Sequence, residues 1–347
     1  VDAISVTFSS AVDEDALETE GNVVLLASGT QIQSTIDLEG QVATILPAAG
    51  FRAGTHYELF ISGAVGGPLR QAIGDFRWDF STQVPEVDTV SPGADQEVAS
   101  GTRRVAVDFS SAIDQDLITP DRFRLARGGV QFELAANEFN YDPEALQVLF
   151  PAVDLEPGSH YEVTVGADVS GPLAAGRPDL QWSFTTQVPR YVDSAPADGA
   201  TGVGTGEGDL TVQFDTPPSA VITADGAVQL FAQGVAVPIG PVTLSEPNAI
   251  AFEPVDEDLD PGTSYQVRIA AAVGGPRRQD DYLFSFTTAI PDTQSVFPPA
   301  GAAAVALPVD AISVTFSSAV DEDALETEGN VVLLASGTQI QSTIDLE

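Results

Sequence analysis

Apolar and polar residues alternate in short runs along the whole chain. In "FRWDF", Phe76, Trp78 and Phe80 fall on one side, with Arg77 and Asp79 on the other. Leu180, Trp182 and Phe184 repeat the pattern, as do Tyr282, Phe284 and Phe286. Ile4, Val6 and Phe8 alternate in the same way near the start, and so do Val105, Val107 and Phe109. A period of two sends successive side chains to opposite faces of a pleated backbone, so each run predicts a half-buried strand. This reading gives Trp78, Trp182 and Phe284 structural, inward places. "TILP" (44–47), "VLFP" (148–151) and "AFEP" (251–254) predict short strands ended by proline, which cannot donate to a central ladder. Gly29, Gly128, Gly129 and Gly234 mark turns between strands. No stretch sustains a 3.6-residue apolar stripe. The prediction is an all-β chain of antiparallel sandwiches.

The pattern also repeats on two scales. Residues 1–39 return as residues 309–347 without a substitution, displaced by 308 positions. Inside that period lies a diverged repeat of about a hundred residues, the usual size of a sandwich domain. "GTHYEL" from Gly54 recurs as "GSHYEV" from Gly158 and "GTSYQV" from Gly262. "VGGP" from Val65, "VSGP" from Val169 and "VGGP" from Val273 follow, then the aromatic strands ending "STQVP", "TTQVP" and "TTAIP". Boundaries at the X-Pro links give an Ig-like unit over 1–83 that lacks its first strand, a second over 84–187 and a third over 188–289. Residues 290–347 then start the next copy of the first. The expectation is an extended array whose natural chain continues beyond Glu347 with "GQVATILP". A subunit that borrows residues 290–308 from a neighbour is the alternative. Tyr57, Tyr161 and Tyr265 each precede alternating apolar residues, and are expected to cap nearby backbone as the tyrosine corner of Ig-type sandwiches does.

The order P-x-x-G, an F-S-x-A-[VI]-D strand end, a strand closed by Pro, L-x-x-G-[TS]-x-Y-x-V and W-x-F-x-T resembles the bacterial Ig-like domains of surface-layer proteins and large repetitive surface adhesins. The resemblance covers essentially the whole chain. It implies spacers, stalks and lattice-builders at an extracellular or cell-surface location. The third unit departs from it, with "FDTPPSAV" where the others read "FSSAVDED" and "FSSAIDQD".

Composition narrows the functions available. The chain has 51 acidic residues against 13 basic ones, all arginine, and no Lys, Cys or Met. Nucleic acid is not an expected partner, because phosphate binding needs clustered positive charge. Without Cys there are no disulfides or thiolate metal sites. Without Lys there is no Walker-type phosphate loop, Schiff base or Lys–Asn cross-link. No apolar run reaches the length of a transmembrane segment. Residues 1–308 hold 43 acids and 13 arginines, so neighbouring units repel within a Debye length of roughly 8 Å. Side-by-side association would need salt, divalent ions or locally neutral patches. The short Pro-punctuated links predict semi-rigid joints.

Candidate chemistry is sparse. His56 and His160 occupy matching positions in different units, where the third has Ser264; they read as solvated strand-end residues, not a shared metal or proton site. "GVGTGEG" (202–208) has phosphate-loop glycines but precedes a strand where such a loop must open a helix, so it reads as a flexible connection. Asp13 and Asp15, and likewise Asp256 and Asp258, sit in alternating carboxylate runs that could give oxygens to calcium or another divalent cation. Neither run fits the twelve-residue calcium loop, and a helix cap explains the first as well. No catalytic or cofactor-binding residue emerges, so the chain is expected to be non-catalytic. The leading expectation is a structural segment of a very long extracellular fibre, filament or adhesin stalk, self-associating or joined head to tail. An adhesive module for a glycan or cell surface, or an accessory region of a secreted enzyme, are the alternatives.

Overall fold

A computed structural model describes residues 3–67, 74–206, 209–255, 259–309 and 311–345. It divides into two compact units. The first gathers 1–98, 102–154 and 160–185; the second gathers 99–101, 155–159 and 186–347.

The first unit holds two sandwiches. In one, a sheet of Ile4–Thr7, Val42–Pro47 and Ser34–Glu39 faces a sheet ordered Thr30–Ile32, Val23–Ala27, His56–Ile61 and Phe76–Ser81. All pairings are antiparallel. Ile4, Ala43 and Ile45 from the first sheet meet Leu25, Tyr57, Leu59 and Ile61 from the second in one dry core. Burying such side chains stabilises by about 1.5–3 kcal/mol each. The other sandwich has the same plan with two additions. Val87–Ser91 pairs with Ala106–Phe109 at one edge, and Glu97–Val98 lies beside Leu180–Thr186 at the edge of the opposite sheet.

Those additions explain a departure from the sequence expectation. Trp182 is 8% exposed, and its indole N–H donates to the Pro92 carbonyl at 3.0 Å. Trp78, at the matching place, is 43% exposed, and Phe76 beside it is 47% exposed. Among the described residues the first sandwich has no counterpart of Val87–Val98, so Ile4–Thr7 and Phe76–Ser81 both remain open edges. The alternation of "FRWDF" is present, but the cover that would make Trp78 an inward residue is not.

The second unit repeats the complete plan. One sheet runs Tyr191–Ala195, Leu210–Phe214, Ala249–Phe252 and Thr243–Glu246; the other runs Ala200–Val203, Tyr282–Thr288, Ser264–Ile269, Val228–Ala232 and Val235–Val237. Phe284 and Tyr282 are buried there, and Tyr191 packs against Phe284 with ring centroids 5.8 Å apart. Ala200–Val203 pairs parallel with Tyr282–Thr288, an exception to the antiparallel rule. It also corrects the reading of "GVGTGEG": Gly202 and Val203 belong to a strand, while Glu207 and Gly208 lie outside the described residues. Beyond this sandwich, Thr293–Phe297 pairs with Ser313–Phe316, and Leu333–Ala335 forms a hairpin with Thr338–Ile340.

Candidate functional site: braced corners and glycine joints

The loop before each tyrosine is held from two sides. Tyr57 accepts the backbone N–H of Arg52 on its phenol oxygen at 2.8 Å, and Tyr265 accepts that of Asp260 at 2.7 Å. Burial pushes the Tyr265 phenol above its usual range, partly opposed by that hydrogen bond. Each tyrosine ring stacks on the phenylalanine across the strand pair: Tyr57 on Phe80, Tyr161 on Phe184 and Tyr265 on Phe286, at 5.3, 5.3 and 5.4 Å.

A threonine closes the loop's other side. Thr82 Oγ1 accepts from the Thr55 N–H at 2.8 Å and donates to the Arg52 carbonyl at 2.7 Å. Thr186 does the same with Ser159 and Glu156, at 3.0 and 2.5 Å. Thr288 does so with Thr263 and Asp260, at 2.9 and 2.6 Å. Each hydroxyl thereby satisfies two backbone groups that would otherwise be stranded at a strand end.

The braced loop presents a glycine. In the first compact unit Gly54 has φ +52° and lies directly against the turn Ser170–Gly171. A Cβ on Gly54 would overlap the Ser170 carbonyl, and one on Gly171 would overlap the Ala53 carbonyl. Only two glycines permit backbones to approach this closely. The Leu173 N–H then donates to the Gly54 carbonyl at 2.8 Å. Asp114 accepts the Ala53 N–H at 3.1 Å, and Arg52 reaches Asp116 at 3.0 Å. Burial raises the Asp114 carboxyl above its ordinary value, while the Ala53 N–H and the Arg52 charge pull the other way.

The same construction recurs inside the second compact unit. There Gly158 lies against Gly274–Gly275, and a Cβ on Gly275 would overlap the Pro157 carbonyl. The Arg277 N–H donates to the Gly158 carbonyl at 3.2 Å. Ser219 ties in by donating its hydroxyl to Glu156 at 2.7 Å and accepting the Val221 N–H at 3.4 Å, while its own N–H reaches the Val273 carbonyl at 2.9 Å. Ser100 adds hydrogen bonds to Thr216 at 2.9 Å and to the Pro217 carbonyl at 2.5 Å. The G-[TS]-x-Y and V-[GS]-G-P motifs are therefore the two halves of one joint. Sequence comparison aligns both as repeat landmarks but cannot reveal their contact, because the partners lie more than a hundred residues apart.

A family model described as bacterial Ig-like domain matches residues 1–82, 81–186 and 187–288. The chain belongs to this family. Bacterial Ig-like domains in tandem are typical of surface or extracellular proteins. No curated protein matches the chain. Among solved structures, an I-band fragment of titin is 11% identical, with 83% of this chain and 93% of that one covered and a TM-score of 0.24. The N-terminal part of the bacterial S-layer protein SbsC is 16% identical over 58% of this chain and 44% of that one, with a TM-score of 0.22. A Bacteroides ovatus glucan-utilization protein, SGBP-B, solved with a mixed-linkage heptasaccharide, is 12% identical over 84% and 64%, with a TM-score of 0.21.

The remaining candidate residues are placed as follows. Asp13 is the N-cap of the short helix Glu14–Glu18, accepting the Asp15 N–H at 3.1 Å. The Asp15 carbonyl receives the Thr19 hydroxyl at 2.7 Å. Asp256 and Asp258 lie outside the described residues. Among the described residues, no three acidic or histidine side chains converge as metal ligands would. His56 shares a hydrogen bond with Ser81 at 3.1 Å on an exposed strand end, and His160 stands 3.9 Å from Glu162. Among the described residues no helix is long and apolar enough to cross a membrane.

Proposed function

We propose that this chain is a non-catalytic structural segment of a long extracellular bacterial fibre or stalk, in which Ig-like repeats are stacked through the glycine joint. The observation that carries this reading is the recurrence of one joint: Gly54 on Gly171, and Gly158 on Gly275. A binding or catalytic module needs one well-formed site, whereas a stalk needs the same contact made again at each step. Exact duplication of residues 1–39 at 309–347 fits a polymer whose every period presents identical contacts. The excess of 43 acids over 13 arginines in residues 1–308 favours an extended, soluble array by like-charge repulsion.

Electron microscopy of a polypeptide carrying several tandem periods tests the reading. At roughly 3.3 Å per strand residue, one period should advance about 110–130 Å along a rod. A compact particle with no axial repeat would replace the stalk. Specific retention of the purified chain on a glycan array would move the assignment to adhesion.

A further inference from the structure

We propose that the two glycine joints carry different side-chain keys. The corner holding Arg52 takes as its partner the repeat holding Asp114 and Asp116, and the corner holding Glu156 takes the repeat holding Ser219 and Arg277. The inference rests on the array reading and names the neighbour each corner accepts, which fixes the order of repeats along the chain.

The backbone half of the joint is common to both. Gly54 and Gly158 have φ +52° and +56°, and Gly171 and Gly275 have φ +87° and +80°. The Leu173 N–H donates to the Gly54 carbonyl, and the Arg277 N–H to the Gly158 carbonyl. Nothing in this half tells one neighbour from another.

The side-chain half is inverted. The corners read Arg52-Ala53-Gly54 and Glu156-Pro157-Gly158. Counted from Phe109 and Phe214, Asp114 and Ser219 hold the same place, and so do Asp116 and Val221. In the first joint the Ala53 N–H donates to Asp114 at 3.1 Å, and Arg52 donates to Asp116 at 3.0 Å. In the second, Pro157 has no N–H to give. The residue in the place of Asp114 is correspondingly a donor: the Ser219 hydroxyl reaches the Glu156 carboxylate at 2.7 Å. The place of Asp116 is taken by uncharged Val221. The arginine now stands on the opposite side of the joint. Arg277 holds the place of Leu173, and its guanidinium donates to the Thr186 carbonyl at 3.2 Å. Donor meets acceptor in each joint, with the roles exchanged.

A wrong pairing strands these groups. The Arg52–Asp116 pair is 50% and 60% exposed, so alone it contributes little. The weight falls on the partly buried contacts. A Glu156-Pro157 corner set against Asp114 and Asp116 would oppose carboxylate to carboxylate and leave Asp114 without its N–H. An Arg52-Ala53 corner set against Ser219 would lose both acids that serve it and bring a second guanidinium to a joint that holds Arg277. Repulsion and lost partners against the wrong neighbour are how similar surfaces are kept apart, and similar repeats in one chain are prone to misassembly. The exact duplication is displaced by 308 residues, three repeats and not one, as expected of an array whose adjacent repeats are not exchangeable.

The test follows amide exchange of Leu173 and Arg277 in the full chain by NMR. Arg52→Glu with Ala53→Pro gives the first corner the chemistry of the second. Leu173 exchange should then rise on the order of tenfold, the scale of a hydrogen-bonding partner lost from a buried group. Arg277 and the amides of His56–Ile61 should keep the parent's rates. Adding Asp114→Ser and Asp116→Val should return Leu173 to near the parent rate, a rescue that a merely structural role would not give. A mismatched corner with Leu173 as protected as in the parent would overturn the proposal, and so would a failure of the rescue. If the altered corner loosens His56–Ile61, Asp114→Ser with Asp116→Val alone decides, because it leaves the first sandwich unchanged. Serine is too short to reach the Ala53 N–H, so Leu173 should again exchange about tenfold faster; parent-like exchange would reject the keys. Parent-like Leu173 exchange in mismatched chains that keep a regular axial repeat by microscopy would remove the keys and leave the stalk. Rescued exchange in a compact particle would keep the keys and remove the stalk.

Discussion

The carbonyl of Gly54 accepts the backbone N–H of Leu173 at 2.8 Å, across a gap that only glycine at position 171 leaves open. Gly171 has φ +87° and ψ 177°, and Gly67 has nearly the same backbone, φ +79° and ψ −178°, with nothing among the described residues within 4 Å of where a Cβ would sit. Alanine at either place should cost about 1–3 kcal/mol for the conformation alone. Gly171→Ala must also push the Ala53 carbonyl away, so it should be the more destabilising of the two. In urea melts Gly171→Ala should lose more than Gly67→Ala, and only Gly171→Ala should expose the Leu173 amide to fast exchange. Equal losses with Leu173 still protected would mean that the joint contributes nothing.

Trp182 and Trp78 occupy the same place in two repeats yet should respond differently to the same change. Trp182→Phe removes the donor to the Pro92 carbonyl in a buried site, where a lost hydrogen bond costs about 1–3 kcal/mol. Trp78→Phe alters a 43% exposed ring with room to relax, and surface changes of this kind stay within about 0.5 kcal/mol. Denaturant midpoints of the two variants check the difference.

Strand periodicity made the sandwiches legible, and the G-x-x-Y spacing made Tyr57 and Tyr265 legible as backbone caps. Both signals are local, carried by residues that pair within one repeat. The joint was not legible in the same way. Gly54 and Gly171 are each conspicuous as a repeated glycine, but nothing along the sequence says that two turns a hundred residues apart press on one another. Thr82, Thr186 and Thr288 were hidden for another reason: a threonine at the end of a strand is commonplace, and only its second hydrogen bond sets it apart. Trp78 shows the reverse limit, since alternation reports which way a side chain points and not whether anything covers it.

Two carboxylates should give opposite slopes in acid. Asp281 accepts the Ala271 N–H at 2.8 Å and pairs with Arg268, and these contacts hold its carboxyl below the ordinary value. Its contribution is therefore present above the unfolded pKa of about 4 and fades as pH falls through the folded value. Asp114 is raised, chiefly by burial. Ionising it in the folded chain is a penalty that grows as pH rises past about 4 and disappears below. Asp281→Asn should thus be destabilising at pH 7 and converge on the parent at low pH. Asp114→Asn keeps an oxygen for the Ala53 N–H and should gain stability relative to the parent as pH rises from 3 to about 6. Urea melts across that range check both signs; parallel curves would refute the assignment.

The acidic run at Asp13 can be resolved between a cap and a cation site by separating oxygen from charge. Asp13 takes the Asp15 N–H, and its duplicate Asp321 takes the Ala324 N–H at 2.9 Å, each opening a five-residue helix. A cap needs an acceptor atom, which asparagine retains, whereas the affinity of a calcium site depends on its carboxylate charge. Asp13→Ala should therefore cost about 1 kcal/mol and Asp13→Asn much less. Any rise in melting temperature with millimolar calcium should be the same in the parent and in Asp13→Asn, because a ligand stabilises only through a site it occupies in the folded chain. A calcium-dependent rise that vanishes in Asp13→Asn would instead make this carboxylate a ligand, and the helix cap the resting state of a cation site.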